Sequence, residues 1–320
     1  MHENAALVKN IYFVIETMFA AIKLPSSFVE DFLNFMLENT PTTANVKSVR
    51  GDHELMIVGY WLAIAQVAVH YKKLNGSKVL TFLPSLVSIL SEYLVIENSR
   101  IKSGAFTAIK NLIFYTLENS YFKADEKKEE LKIDDISFDL LTIRESSDKI
   151  HPIRKVVYMF LYCLDSRFES CYSEVLKLIT TFVEIGKLKT LEFGGLELLN
   201  AVGDLQIKKQ AYNSWLDWLG KFLEHYKSEN FFNILPMKLL DFDMNSESYS
   251  FDSRSYLLPV IKKYAHKENF NFYLEYFMPL IDSIIENKLT STQVTGPDGQ
   301  IKGNIFISIK IEQNLFSYTN

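Results

Sequence analysis

Cysteine, glycine, proline and excess positive charge are all scarce in this 320-residue chain, and each scarcity closes a class of explanation. Two cysteines, Cys163 and Cys171, are too few for a disulfide framework or a four-cysteine zinc site, and they suit a reducing compartment. Twelve glycines and eight prolines supply too little punctuation for a many-turned β sandwich, so long helices are expected. With 34 basic and 39 acidic residues the formal net charge is −5. No global positive field draws the chain to nucleic acid, and any such contact needs a local patch.

Signatures of catalysis are missing as well. The stretch LEFGGLELL has adjacent Gly194 and Gly195 but lacks the Gly-Lys-Ser/Thr ending of a phosphate-binding loop, and helix packing explains it better. His2, His53, His70, His151, His225 and His266 are scattered without the His-Glu-x-x-His spacing of a zinc protease. A noncatalytic protein is expected, with no metal, no cofactor and no small-molecule substrate. The first residues, MHENAALVKN, place Glu3 where a secretion signal wants a basic region, so none is expected.

What is present is apolar and helical in period. Hydrophobic residues make up 48% and aromatics 14%, enough for a sizeable core. LMIVGYWLAIAQVAVHY, Leu55 to Tyr71, has no formally charged residue and reaches the short end of membrane-spanning length. It also contains Gln66 and His70, and a helix apolar all round is expected where neighbours pack on every side. A buried helix, with no membrane partner, is the expectation.

Helix-length apolar stretches succeed one another from Asn4 to Ile285, joined by short polar connections such as KLPSSF and LNGSK. That is the texture of stacked antiparallel helices. SRIKSGAFTAIKNLI places Arg100 ahead of Ala105, Ala108, Ile109 and Leu112, and HPIRKVVYMFLYCL places Pro152 and Arg154 ahead of Val157, Phe160 and Leu161. Both read as the second helix of a HEAT repeat, where small residues admit the paired helix and larger ones fill a shared core. The expected fold is all-α: an α-solenoid of HEAT or armadillo-like hairpins over residues 1–287.

Three segments stand apart. YFKADEKKEELKIDD, 121–135, mixes both charge signs and reads as a solvated helix or loop interrupting the stack. DFDMNSESYSFDS, 241–253, has four acids and no base; it reads as a plain linker or an exposed loop with phosphorylation sites. From residue 288 onward a period-two alternation surrounds a Pro-Asp-Gly turn, as in a β hairpin or an untidy tail over 288–320.

Two prolines frame the remaining question. Pro259 fits the first turn of a helix, with Asp252, Ser253 or Ser255 to cap it. Pro279 falls between two apolar runs and is expected to kink or divide the segment Phe270 to Ile285. Between them Lys262, Lys263, His266 and Lys267 gather at a helix end, where cations complement the macrodipole or meet phosphate. Lys262, Lys263 and Lys267 are the first candidate patch for RNA or another partner, and Lys208 and Lys209 the second.

NFFNILPMKL, then SRSYLLPVIKKYA and FNFYLEYFMPLIDSI, together resemble the ribosomal RNA-processing protein 12-like family of nucleolar HEAT-repeat proteins. That family has a Leu-Pro-Leu step, a loop, an Arg-x-Trp-Leu-Leu-Pro element and a Phe-Phe-x-x-Tyr-x-Leu-Pro-Leu run. Leu235 and Pro236 match the first; Arg254, Leu257, Leu258 and Pro259 the second; Phe272, Tyr276, Pro279 and Leu280 the third. The resemblance covers about residues 155–285. Tyr256 stands where the family favours Trp, and the chain is shorter than family members, as in a reduced, divergent or truncated one.

The resemblance implies a noncatalytic scaffold in ribosome biogenesis, located in the nucleus and nucleolus with nucleocytoplasmic shuttling. Its implied partners are pre-ribosomal RNA, ribosome assembly factors and nuclear export machinery. The competing expectation is a HEAT-type nuclear transport receptor or a cytoplasmic protein–protein adaptor, since fold alone does not separate these. The family's motif residues are apolar and aromatic enough that core packing is their first expected role.

Overall fold

The computed structural model describes residues 5–41, 51–123, 150–205, 212–237, 254, 256–264 and 270–291. Lys208, Lys209, Lys267, His266, the loop 241–253 with its capping candidates, most of the charged interruption and the tail from residue 292 lie outside that set. The described residues are helical, with no strand among them. Contacts divide the chain into two compact units, Met1–Trp215 and Leu216–Asn320.

The first unit contains α1 (Ala5–Ala21), α2 (Ser26–Glu38), α3 (Asp52–Asn75), α4 (Leu83–Ser91), α5 (Ser99–Thr116), α6 (Pro152–Tyr162), α7 (Tyr172–Gly186) and α8 (Gly195–Gly203). They stack in two rows. One row runs α1, α3, α5, α7, and the other α4, α6, α8, so successive helices alternate between rows from α3 onward. This alternation is the HEAT architecture: each hairpin contributes one helix to each row and shares its core with the next.

Local chemistry sets the boundaries. The Asn98 side chain accepts the amides of Arg100 and Ile101, opening α5. Pro152 stands at the first position of α6, where its missing N–H is not needed, and His151 Nδ1 accepts the Ile153 amide at 3.2 Å. At the far ends, α3 stops on Gly76 (φ 59°, ψ −127°) and α7 on Lys187 (φ 51°, ψ −137°). Each stop leads into a 3-10 segment, Gly76–Thr81 and Lys187–Phe193. The same backbone step thus recurs at the same place in two hairpins.

The two arginines of the expected repeat signature tie neighbours within rows. Arg100 on α5 meets Glu54 on α3 at 3.2 Å, and Arg154 on α6 meets Glu197 on α8 at 3.6 Å. Their helices do not occupy equivalent positions, however. α5 packs on α3 and α7, whereas α6 packs on α4 and α8. The expectation that both are second helices is therefore corrected: they belong to opposite rows, and an amphipathic face with small residues is common to both rows. Close approach is nonetheless real on α5, where Ala105 and Ala108 are fully buried and a Cβ on Gly104 would meet Val58 Cγ2 at 2.6 Å.

Helix α3 packs inside the first unit. The segment Asp52–Thr81 is long and apolar enough to cross a bilayer, but 61% of its most apolar window is buried inside the protein. α1, α2 and α5 cover it, with Trp61 fully buried against Tyr93 at 4.9 Å between ring centres. Tyr60 donates to the Met36 carbonyl, and Tyr71 donates to Glu30 at 3.0 Å, fastening α3 to α2.

The second unit holds most of α9 (Tyr212–Tyr226), then α10 (Ser228–Ile234), α11 (Leu257–Tyr264) and α12 (Phe270–Ser291). Pro259 is the third residue of α11, as its fixed φ favours. Pro279 is different: α12 continues through it as one helix, so of the expected kink or division the division does not occur. Its exposed position places the ring on the solvent side of the helix. Because α12 reaches Ser291, the first residues of the expected tail, 288–291, are helical.

Candidate functional site

The three motif elements meet around one peptide group. Leu235, fully buried, closes α10 with its amide on the Phe231 carbonyl at 2.9 Å, and the chain then steps through Pro236 to Met237. Arg254 Nη1 reaches the Pro236 carbonyl at 3.5 Å, while the Met237 amide donates to the Tyr276 hydroxyl at 3.0 Å. That carbonyl and that amide belong to the same peptide bond. One side chain from the second element and one from the third thus hold both polar ends of the first, which a proline step leaves without helical partners.

The clasp is anchored on each side. Arg254 has φ 51°, and its carbonyl accepts the Leu257 amide at 3.0 Å, so the same residue turns the chain into α11. The Tyr276 ring lies 4.8 Å from Phe232 and stacks on Phe272 at 5.7 Å, and Ser228 shares a 2.7 Å hydrogen bond with Tyr273. Burial raises the Tyr276 phenol above its usual range, against the opposing pull of the Met237 amide and the Arg254 charge. It stays neutral and keeps its place as acceptor. Leu257 and Phe277 are buried, Leu258, Pro259, Phe272 and Leu280 half-buried, and Pro236 and Pro279 exposed. Of the ten matched residues, Leu235 and Leu257 are thus buried, and the others are half-buried or exposed.

Of the expected cationic patch, Lys262 and Lys263 are described, and both are exposed at the end of α11. Lys263 Nζ meets Asp217 Oδ1 at 2.5 Å, and the Tyr264 hydroxyl donates to the same oxygen at 3.1 Å. The ammonium also stands 5.2 Å from the Tyr264 ring centre. Hydrogen bonding to Asp217, then to Tyr264, raises the Lys263 pKa and fixes its positive charge. Lys262 likewise has an interaction within the protein. A phosphate at Lys263 must therefore compete with a carboxylate that sequence spacing does not reveal, since Asp217 sits 46 positions away.

The two cysteines offer little to covalent chemistry. Burial pushes the Cys163 thiol up to about 12 and the Cys171 thiol up to about 11, so both remain protonated and poorly nucleophilic at neutral pH. No group of three or more His, Cys, Asp or Glu residues suited to a metal occurs among the described residues.

A comparison with curated proteins finds no match. A comparison with protein families does: residues 96–302 match the family described as Ribosomal RNA-processing protein 12, HEAT repeats. The match starts within the first unit, at residue 96 rather than near 155, and so takes in α5 to α8. The repeat rows, the clasped motif and this match over more than half its length agree: the chain belongs to the ribosomal RNA-processing protein 12 family of HEAT-repeat proteins.

Proposed function

We propose that the chain is a noncatalytic helical scaffold of ribosome biogenesis, one that holds pre-ribosomal RNA and assembly proteins and supports ribosomal RNA processing and subunit export. The observation that carries this reading is the family match over residues 96–302. The physics is compatible: stacked hairpins spend their apolar faces on each other and leave the outward helix faces for macromolecular partners. On this reading the protein resides in the nucleus and nucleolus and shuttles with its cargo.

Affinity capture from growing cells, with sequencing of co-purifying RNA and identification of co-purifying proteins, tests it. Recovery of pre-ribosomal RNA with assembly factors is the expected result. Recovery of transport cargo or vesicle-coat subunits without pre-ribosomal RNA overturns it in favour of a transport receptor or adaptor.

A further inference from the structure

Helix α5 contains no Asp or Glu in its 18 residues, yet carries Arg100, Lys102 and Lys110. Its apolar face, including Ile101, Ala105, Ala108 and Leu112, is buried. On the opposite side Ser103, Thr107, Lys110 and Phe114 recur turn by turn, all exposed, with Tyr115 beside them. From Arg100 to Phe114 that stripe extends about 21 Å at the helical rise.

Two features of the stripe are unusual for a solvated helix face. Phe114 and Tyr115 are 55% and 53% exposed, with ring centres 4.9 Å apart and planes at 89°, so two large rings in edge-to-face contact stand partly open to water. Lys110 is also available: among the described residues no carboxylate pairs with it, nor with Lys177, exposed on α7, the next helix of the row. The neighbouring acids are committed. Glu54 pairs with Arg100 at 3.2 Å, Glu118 beyond the helix end pairs with Lys72, and Glu184 on α7 has its own partner.

We propose that the exposed stripe of α5 is a platform for single-stranded RNA, with Phe114 and Tyr115 stacking unpaired bases and Lys110, aided by Lys177, facing phosphates. The choice of RNA rests on the proposed function; the choice of single strand rests on the rings, which meet base faces only where bases are unstacked. The Lys262–Lys263 end of α11 is the weaker candidate. Lys263 there already answers Asp217, and a Cβ on Gly220 would meet the Tyr264 ring at 2.1 Å, so that ring lies against α9.

Fluorescence anisotropy of the full chain with a labelled oligouridylate of about twelve nucleotides tests the platform, using an RNA duplex of equal length for comparison. The wild type should prefer the single strand. Phe114→Ala with Tyr115→Ala should weaken binding about tenfold or more, and Trp at both positions should restore it. Lys110→Glu should weaken binding and lower its dependence on salt. Circular dichroism of each variant confirms that it folds; both aromatic side chains are exposed. Unchanged affinity in the double alanine variant overturns the proposal, as does equal affinity for duplex, or full retention with Leu at both positions. If cell capture yields no pre-ribosomal RNA while the oligonucleotide results hold, the proposed function fails and the platform stands.

Discussion

Lys187 occupies a backbone conformation that side chains rarely adopt, φ 51° and ψ −137°, at the step where Gly76 serves an earlier hairpin. Side-chain sterics at such a position cost about 1–3 kcal/mol, and glycine removes most of that while adding some unfolded-state entropy. Lys187→Gly should therefore raise stability by about 1 kcal/mol, read as a higher urea midpoint with unchanged slope. Gly104 gives the opposite case. Alanine favours a helix over glycine by about 1 kcal/mol, but here its Cβ would stand 2.6 Å from Val58 Cγ2. The overlap should win and Gly104→Ala should destabilise by about 1–3 kcal/mol. Val58→Ala in the same chain should recover part of the loss, a coupling that a double-mutant cycle measures.

At the scale of the element, the clasp on the Pro236–Met237 peptide decides how α10, α11 and α12 fit together. Tyr276→Phe keeps the ring between Phe232 and Phe272 but leaves the Met237 amide without its acceptor. Such a loss costs about 1–3 kcal/mol, and hydrogen exchange should quicken first at Met237. The helices themselves were largely legible: α5 and α6 announce themselves by a leading basic residue and apolar period, and Pro259 by its place in the first turn. For Pro279 the sequence leaves kink and division open, because a proline tolerated on an exposed face of a long helix looks the same in sequence as one that ends it; the helix continues through it. The motif was visible as order and spacing, but not as a clasp. Nothing in the letters says that Arg254 and Tyr276 address the two ends of a single peptide bond, and nothing links Lys263 to Asp217 before the chain folds.

Across the whole molecule, legibility follows the range of the interactions involved. The all-α class came from what composition lacks and what periodicity repeats. The row alternation did not, because α5 and α6 differ in partners rather than in pattern. The exposed stripe on α5 is not legible as a lysine cluster: missing acids and two exposed aromatic residues distinguish it, and exposure is set by the fold. Charge and burial together also set how the molecule responds to alkali. The chain carries 17 tyrosines and a formal net charge of −5, so every phenol that ionises adds repulsion to an already negative protein. Buried phenols resist. Burial, followed by the Glu30 hydrogen bond and charge, pushes Tyr71 up from 10.0 to about 12, and burial raises Tyr60 and Tyr93 further. A folded-state pKa above the unfolded value means that their contribution is complete below about pH 10. It is lost as pH climbs towards the folded-state value, because the unfolded chain gives up those protons first. Absorbance of phenolate at 295 nm and helical circular dichroism, followed together through that window, should thus change in a single cooperative step for these buried rings. Tyr71→Phe removes one of the titrating groups and should lower the steepness of the loss with pH. Gradual ionisation of Tyr60, Tyr71 and Tyr93 with the helices intact would contradict the packing of α3 against α2 and its neighbours.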